Sequence, residues 1–231
     1  MKTLGLIGGM SWESTAIYYR LLNEIVRERL GGLHSAKLLL WSFDFAEIAE
    51  RQHAGDWQGA GELLVDAASK LESAGAEGLL ICTNTMHKLA DAVQAAVSIP
   101  LIHIADATAV AVQSAGVNRP ALLATRFTME QDFYKGRLTE TYGLQPVVPD
   151  GAGRDMVHRV IYDELCQGIV TAASKAAYID EIDRMRRDEK IDGVIMGCTE
   201  ITMLIGQQDF DIPVFDTTRI HAEAAVAFAL G

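Results

Sequence analysis

Gly193-Val-Ile-Met-Gly-Cys-Thr-Glu-Ile201 is a short β-branched and apolar run that ends in Gly-Cys-Thr-Glu and then turns apolar again. A buried parallel strand that delivers polar side chains at its carboxyl end has this shape. The pattern occurs twice, because Gly78-Leu-Leu-Ile-Cys-Thr-Asn-Thr-Met86 repeats it 115 residues earlier. Aligning the glycines pairs Gly78 with Gly193, Cys82 with Gly197, Thr83 with Cys198, Asn84 with Thr199 and Thr85 with Glu200. Cys82 and Cys198 are therefore one residue out of step, and one residue along a strand decides which face a side chain occupies. The expected counterpart of Cys198 is Thr83, with Cys82 turned into the core.

Outward from these two stretches the chain alternates strands and helices. Apolar runs at 4–7, 37–41 and 101–104 flank the first copy, and runs at 121–124, 147–148 and 213–215 flank the second. Helical patterns are expected after Ser11 and over 59–74, 88–96, 155–168 and 171–187. Such alternation implies βαβ units and parallel sheets. The matching order of the halves predicts an α/β chain of two pseudo-symmetric, flavodoxin-like parallel-sheet domains. The expected boundaries are 1–100 plus 211–231 for the first domain and 101–210 for the second. Ligands of open parallel sheets bind beyond the carboxyl ends of the strands, which places the expected active site in a cleft between the domains.

Composition narrows the class of function. The 231 residues are 49% hydrophobic and 22% charged, with a net charge of −11 and no basic block, so a nucleic-acid partner is not expected. Three scattered cysteines suggest neither a disulfide framework nor a zinc site, and they fit a reducing, cytoplasmic setting. No apolar run approaches the ~20 residues that span a bilayer, and the amino terminus has no signal-peptide pattern. A soluble protein acting on a small molecule, with no membrane partner and no metal, is the expectation.

The candidate chemistry sits at the strand ends. Cys198, between Gly197 and a Thr-Glu pair, occupies a place where a core position would be apolar, and cysteine serves as nucleophile or base when exposed and activated. Thr83 at the equivalent position suggests two groups acting on opposite faces of one carbon, as inversion of a stereocentre requires. Asn84, Thr85, Thr125 and Thr199 are strand-end donors suited to a carboxylate, although each also suits a plain turn. Glu200 and His87 follow the two key positions and could tune an acid or base, or cap a helix. Arg51 and Gln52, after the second strand, are further binding candidates. Met10 lies in the Gly8-Gly9-Met10-Ser11 turn, which lacks the G-x-G-x-x-G and P-loop spacings but could receive a small anion at a helix start. Cys166 is expected to pack within a helix. No G-x-S-x-G elbow supports a serine hydrolase.

Four motifs in this order, G-L-I-G-G-M-S-W-E-S-T, C-T-N-T-M-H, L-L-A-T-R-F-T and G-C-T-E-I, resemble the cofactor-independent aspartate/glutamate racemase family over essentially the whole chain. The resemblance implies an isomerase with a two-base mechanism, no pyridoxal phosphate or metal, and commonly a homodimer. Family members usually carry C-N-T-x-H in the first half; here Thr83 stands in the cysteine position, which is similar to a branch acting on L-aspartate and L-glutamate. It implies that Cys198 takes the α-proton of the L-substrate and that Thr83 returns one to the other face. Some relatives hold a carboxylate with a basic residue on the helix that here carries Cys166; without one, Arg51, Gln52 and the strand-end hydroxyls are the candidates. Related thiol-assisted enzymes (hydantoin racemase, maleate isomerase, arylmalonate decarboxylase) and a non-catalytic small-molecule binding protein are the alternatives.

Overall fold

In the computed structural model, which describes residues 1–231, strand β1 (Leu4–Gly8) is buried along its whole length between β2 (Leu38–Ser42) and β3 (Gly78–Ile81). All three strands run parallel. Helix α1 (Trp12–Leu30) starts where Ser11 Oγ accepts the Ser14 N–H at 3.2 Å. Its stripe of Tyr18, Leu21, Leu22, Ile25 and Val26 packs with Leu4, Leu6, Leu80 and Cys82 on one face of the sheet. Ile7, Leu79 and Ile81 point the other way, to Ile48 of α2 (Phe45–Ala54), Leu64, Ala68 and Leu71 of α3 (Trp57–Ser73), and Val93 of α4 (Ala90–Ala96). The strict alternation of Leu79, Leu80, Ile81 and Cys82 between two apolar clusters is the period-2 signature of a doubly covered strand.

The second unit begins within α5 (Ile104–Ser114) and contains β4 (Pro120–Ala124), α6 (Arg126–Glu130), α7 (Asp132–Tyr142), α8 (Gly151–Asp163), α9 (Ala172–Glu189), β5 (Gly193–Gly197) and β6 (Val214–Asp216). Its parallel sheet has the order β4-β5-β6. Isolated bridges add Leu101 beside Leu79 in the first sheet and Val147 beside Ala121 in the second. Each sheet then reads 2-1-3-4 in its own chain order, the flavodoxin-like arrangement. The registers agree as well: β1 sets Leu4 against Gly78, and β4 sets Pro120 against Gly193. The glycine alignment of the two motifs is thus the alignment of the two hydrogen-bond ladders, up to Cys82 and Gly197.

Several boundaries differ from those expected. The units are Met1–Ile104 with His221–Gly231, and Ala105–Ile220. β6 pairs with β5, so residues 211–220 belong with the second sheet and not the first. The apolar run 101–104 forms only the Leu101 bridge before α5 begins at Ile104. The last helix, α10 (Thr217–Leu230), lends Ala222, Ala225, Val226 and Ala229 to the first unit's core.

His221 on α10 is fully buried. Its Nδ1 lies 2.8 Å from the Tyr18 hydroxyl and its Nε2 2.6 Å from the Ile102 carbonyl oxygen, with the rings of His87 and, beyond it, His103 alongside. Burial lowers its pKa to about 4, against the upward pull of the Ile102 carbonyl. Between the ordinary value of 6.5 and about 4, the unfolded chain binds a proton here that the folded chain refuses. Stability is therefore full above that window and falls as pH drops through it, by about 3 kcal/mol from this group. Urea melts at pH 7 and pH 4 should show this loss, and His221→Gln should flatten the dependence. An unchanged acid slope in the variant would assign the loss elsewhere.

Candidate active site

Beyond β3, the Cys82 N–H donates to the Ile7 carbonyl at 2.9 Å and the Thr83 N–H to the Ile81 carbonyl at 2.9 Å. A 3-10 turn, Thr85–Leu89, follows. Cys82 is 1% exposed among Leu4, Leu6 and Leu80, and burial pushes its thiol far above the ordinary range. Thr83 is half-buried, while Asn84, Thr85 and His87 are buried. The side chain that reaches the surface at this strand end is the threonine.

Beyond β5, Cys198 is half-buried, and its thiol donates to Glu200 Oε2 at 3.0 Å. Desolvation, and then the Glu200 charge, holds the thiol well above its usual pKa. The resting group is therefore a protonated thiol with a carboxylate acceptor already in place. Tyr162 is a close neighbour: burial first, and then a thiolate at Cys198, would push its hydroxyl up to about 12. Thr199 is buried with its Oγ1 3.3 Å from Thr218 Oγ1, and Thr125 Oγ1 lies 3.3 Å from Thr128 Oγ1. Past the ladders the symmetry loosens. The 3-10 turn opens at Thr85 after Gly78, but one step sooner, at Thr199, after Gly193. In consequence Cys198 supplies the carbonyl that accepts the turn's first N–H, from Ile201 at 3.2 Å, where in the first copy Asn84 does so for His87 at 3.1 Å.

The binding candidates after β2 are less open than their positions suggest. Arg51 pairs with Asp56, the cap of α3, beside Glu47 and Glu50. The Gly59 N–H and then this guanidinium hold the Asp56 carboxyl below its usual range. Gln52 is 7% exposed with Nε2 2.9 Å from Met86 Sδ, and Met10 lies in the same apolar cluster as Met86. Met10 and Gln52 thus pack, and Arg51 already has a carboxylate. Cys166, expected inside a helix, is exposed in a 3-10 turn, Leu165–Gln167, because the helix breaks at Glu164 and Gly168 takes a left-handed conformation. It lies near enough to Cys198 that a thiolate at either position would disfavour ionising the other. Sequence spacing gave no signal for Tyr162 or Cys166 at this strand end.

No helix is long and apolar enough to cross a membrane. Each unit is thus an α/β fold around a parallel sheet, with a hydroxyl beyond one strand of the first and a thiol–carboxylate pair beyond one strand of the second. The chain belongs to the Asp/Glu/hydantoin racemase family, whose description matches residues 7–225, and hence to a family of isomerases. It is 55% identical to an Asp/Glu racemase candidate of known structure from Yersinia pestis, with a TM-score of 0.95 over 100% of both chains. An aspartate racemase homologue from Pyrococcus horikoshii OT3 is 37% identical, with a TM-score of 0.89 over 100% of both chains. The broad specificity amino-acid racemase RacX of Bacillus subtilis is 19% identical over 97% of this chain and 96% of its own.

Proposed function

We propose that this protein racemises aspartate or glutamate without pyridoxal phosphate or metal, starting from the L-enantiomer, with Cys198 and Thr83 as the two proton-transfer groups. The observation that supports this reading is that the two ladders align Gly78 with Gly193, which leaves Thr83 and Cys198 the same number of residues beyond those glycines, with Cys82 sealed in the core. Cys198 passes its proton to Glu200, 3.0 Å away, and the thiolate takes the α-proton of the substrate. The substrate's ammonium group favours that step by stabilising the thiolate, against the desolvation and then the Glu200 charge that keep the thiol protonated. Thr83 then gives its hydroxyl proton to the opposite face and is resupplied from solvent, while Cys198 keeps the substrate's proton as its thiol and Glu200 releases the proton it took to solvent. Asn84, Thr85, Thr125 and Thr199 hold the carboxylates in this scheme, and the homodimer implied by the family resemblance belongs to it. Equal free energies of the enantiomers fix the equilibrium, so any preference for the L-form is kinetic.

The protonated state of Cys198 favours one rival, a silent binding protein. Incubation in D₂O with a panel of L-amino acids, aspartate and glutamate first, separates the two. Deuterium at the α-carbon by NMR and D-product by chiral chromatography are expected, whereas no exchange on any member would remove the racemase reading. A wide panel is warranted by the breadth ascribed to RacX. Thr83→Ala should keep exchange on the L-substrate and lose inversion by on the order of 10². Thr83→Cys should gain activity on D-substrates, since a thiol ionises far more readily than an aliphatic hydroxyl. Unchanged D-activity would count against the asymmetric pair.

A further inference from the structure

We infer that His87 is a positioning residue for Thr83, acting through the Thr83 carbonyl; the inference rests on the racemase reading and deepens it. The ring sits with Nδ1 2.7 Å from the Thr83 carbonyl oxygen and Nε2 3.2 Å from the Ile104 amide nitrogen. A backbone amide can only donate and a carbonyl oxygen can only accept. Nε2 must therefore be the bare nitrogen and Nδ1 must carry the hydrogen, so His87 is neutral and in a single tautomer.

These two bonds complete the restraint of the Thr83 backbone. The Thr83 N–H is held by the Ile81 carbonyl at 2.9 Å, and its C=O is held by His87. With both peptide groups fixed, the direction of the hydroxyl depends on one side-chain torsion, which for threonine has few accessible wells. The ring itself is 3% exposed, with His103 at 4.7 Å and His221 at 5.6 Å between centroids. His221 is in turn tied to Tyr18 and Ile102. The strand end carrying the proposed proton donor is thereby fastened to α1, to the last helix and to the start of α5.

A merely structural histidine predicts uniform damage on substitution, whereas a positioning role predicts a split. In His87→Asn the amide nitrogen can occupy the Nδ1 site and keep the bond to Thr83, losing the one to Ile104. In His87→Gln the longer side chain reaches Ile104 and leaves the Thr83 carbonyl without its donor. His87→Gln should exchange the L-substrate α-proton in D₂O within about threefold of wild type while inversion falls at least about tenfold. His87→Asn should keep both within about threefold, with thermal melts of the two variants reported alongside. Equal losses of exchange and inversion in both variants, or a worse split in His87→Asn, would overturn the role of His87 alone. Wild-type silence toward every amino acid would overturn the racemase reading and this inference with it. A measurement free of variants stands beside these: ¹⁵N NMR of the wild-type protein should find His87 with its hydrogen on Nδ1, and a hydrogen on Nε2 would reject the geometry.

Discussion

Cys198→Ala should abolish both α-proton exchange and inversion, lowering turnover by on the order of 10³ or more. The size follows from the chemistry required. Removing a proton from the α-carbon of an amino acid needs a positioned base, and Cys198 is the one thiol at a strand end that is not sealed in the core. Its substitution cuts into the first step, so exchange and inversion disappear together, unlike the split expected at Thr83. The thiol is half-buried and small, so folding should survive and the loss can be assigned to chemistry. Cys82→Ala is the control: it deletes a buried sulfur beside Leu80 and Leu4, and should cost some stability but little activity. If Cys82→Ala were inactive and Cys198→Ala active, the assignment of the two thiols would have to be reversed.

Gly9→Ala should cost more than about 4 kcal/mol of stability, enough to leave little folded protein. Gly9 has φ +82°, a backbone region that L-residues avoid. A methyl group there would lie 2.3 Å from the Phe43 carbonyl oxygen and 2.4 Å from the Phe43 nitrogen. Both atoms are backbone, and the two segments are tied together: the Phe43 N–H is bound to the Gly8 carbonyl at 3.1 Å and the Gly9 N–H to Thr15 Oγ1 at 2.8 Å. Soluble yield and urea denaturation test this directly, and a variant melting with the wild type would refute the account. Gly9, in the turn that invites a ligand-binding reading in the sequence, has a sufficient steric explanation in the close passage of the chain after β2.

The strands that form the centres of both sheets are legible because they are short and uniformly apolar, and the offset between Cys82 and Cys198 is legible because strand periodicity is strict. The helices are less so. α2 reads as a polar segment, since only Ile48 and Gln52 of its ten residues are buried. α7 likewise buries only Tyr134 and Leu138, which leaves too thin a stripe to register as a period. The run 101–104 has a strand's composition but makes one bridge before turning helical, a choice made by tertiary context. In the candidate site, the sequence shows which residues follow each strand but not their partners. Nothing in the spacing says that Asp56 takes Arg51, that Glu200 accepts the Cys198 proton, or that His87 grips Thr83 by its carbonyl.

The return of α10 has a consequence for how this protein tolerates shortening. Residues from His221 onward complete the apolar cluster around β1 and β3, while every strand of the second sheet lies before them. Loss of the residues from His221 to Gly231 would therefore strip the layer beside β1 and β3 and leave the second sheet with its full set. During synthesis the first unit must wait for the segment from His221 onward, which follows the whole second sheet, before its core can close.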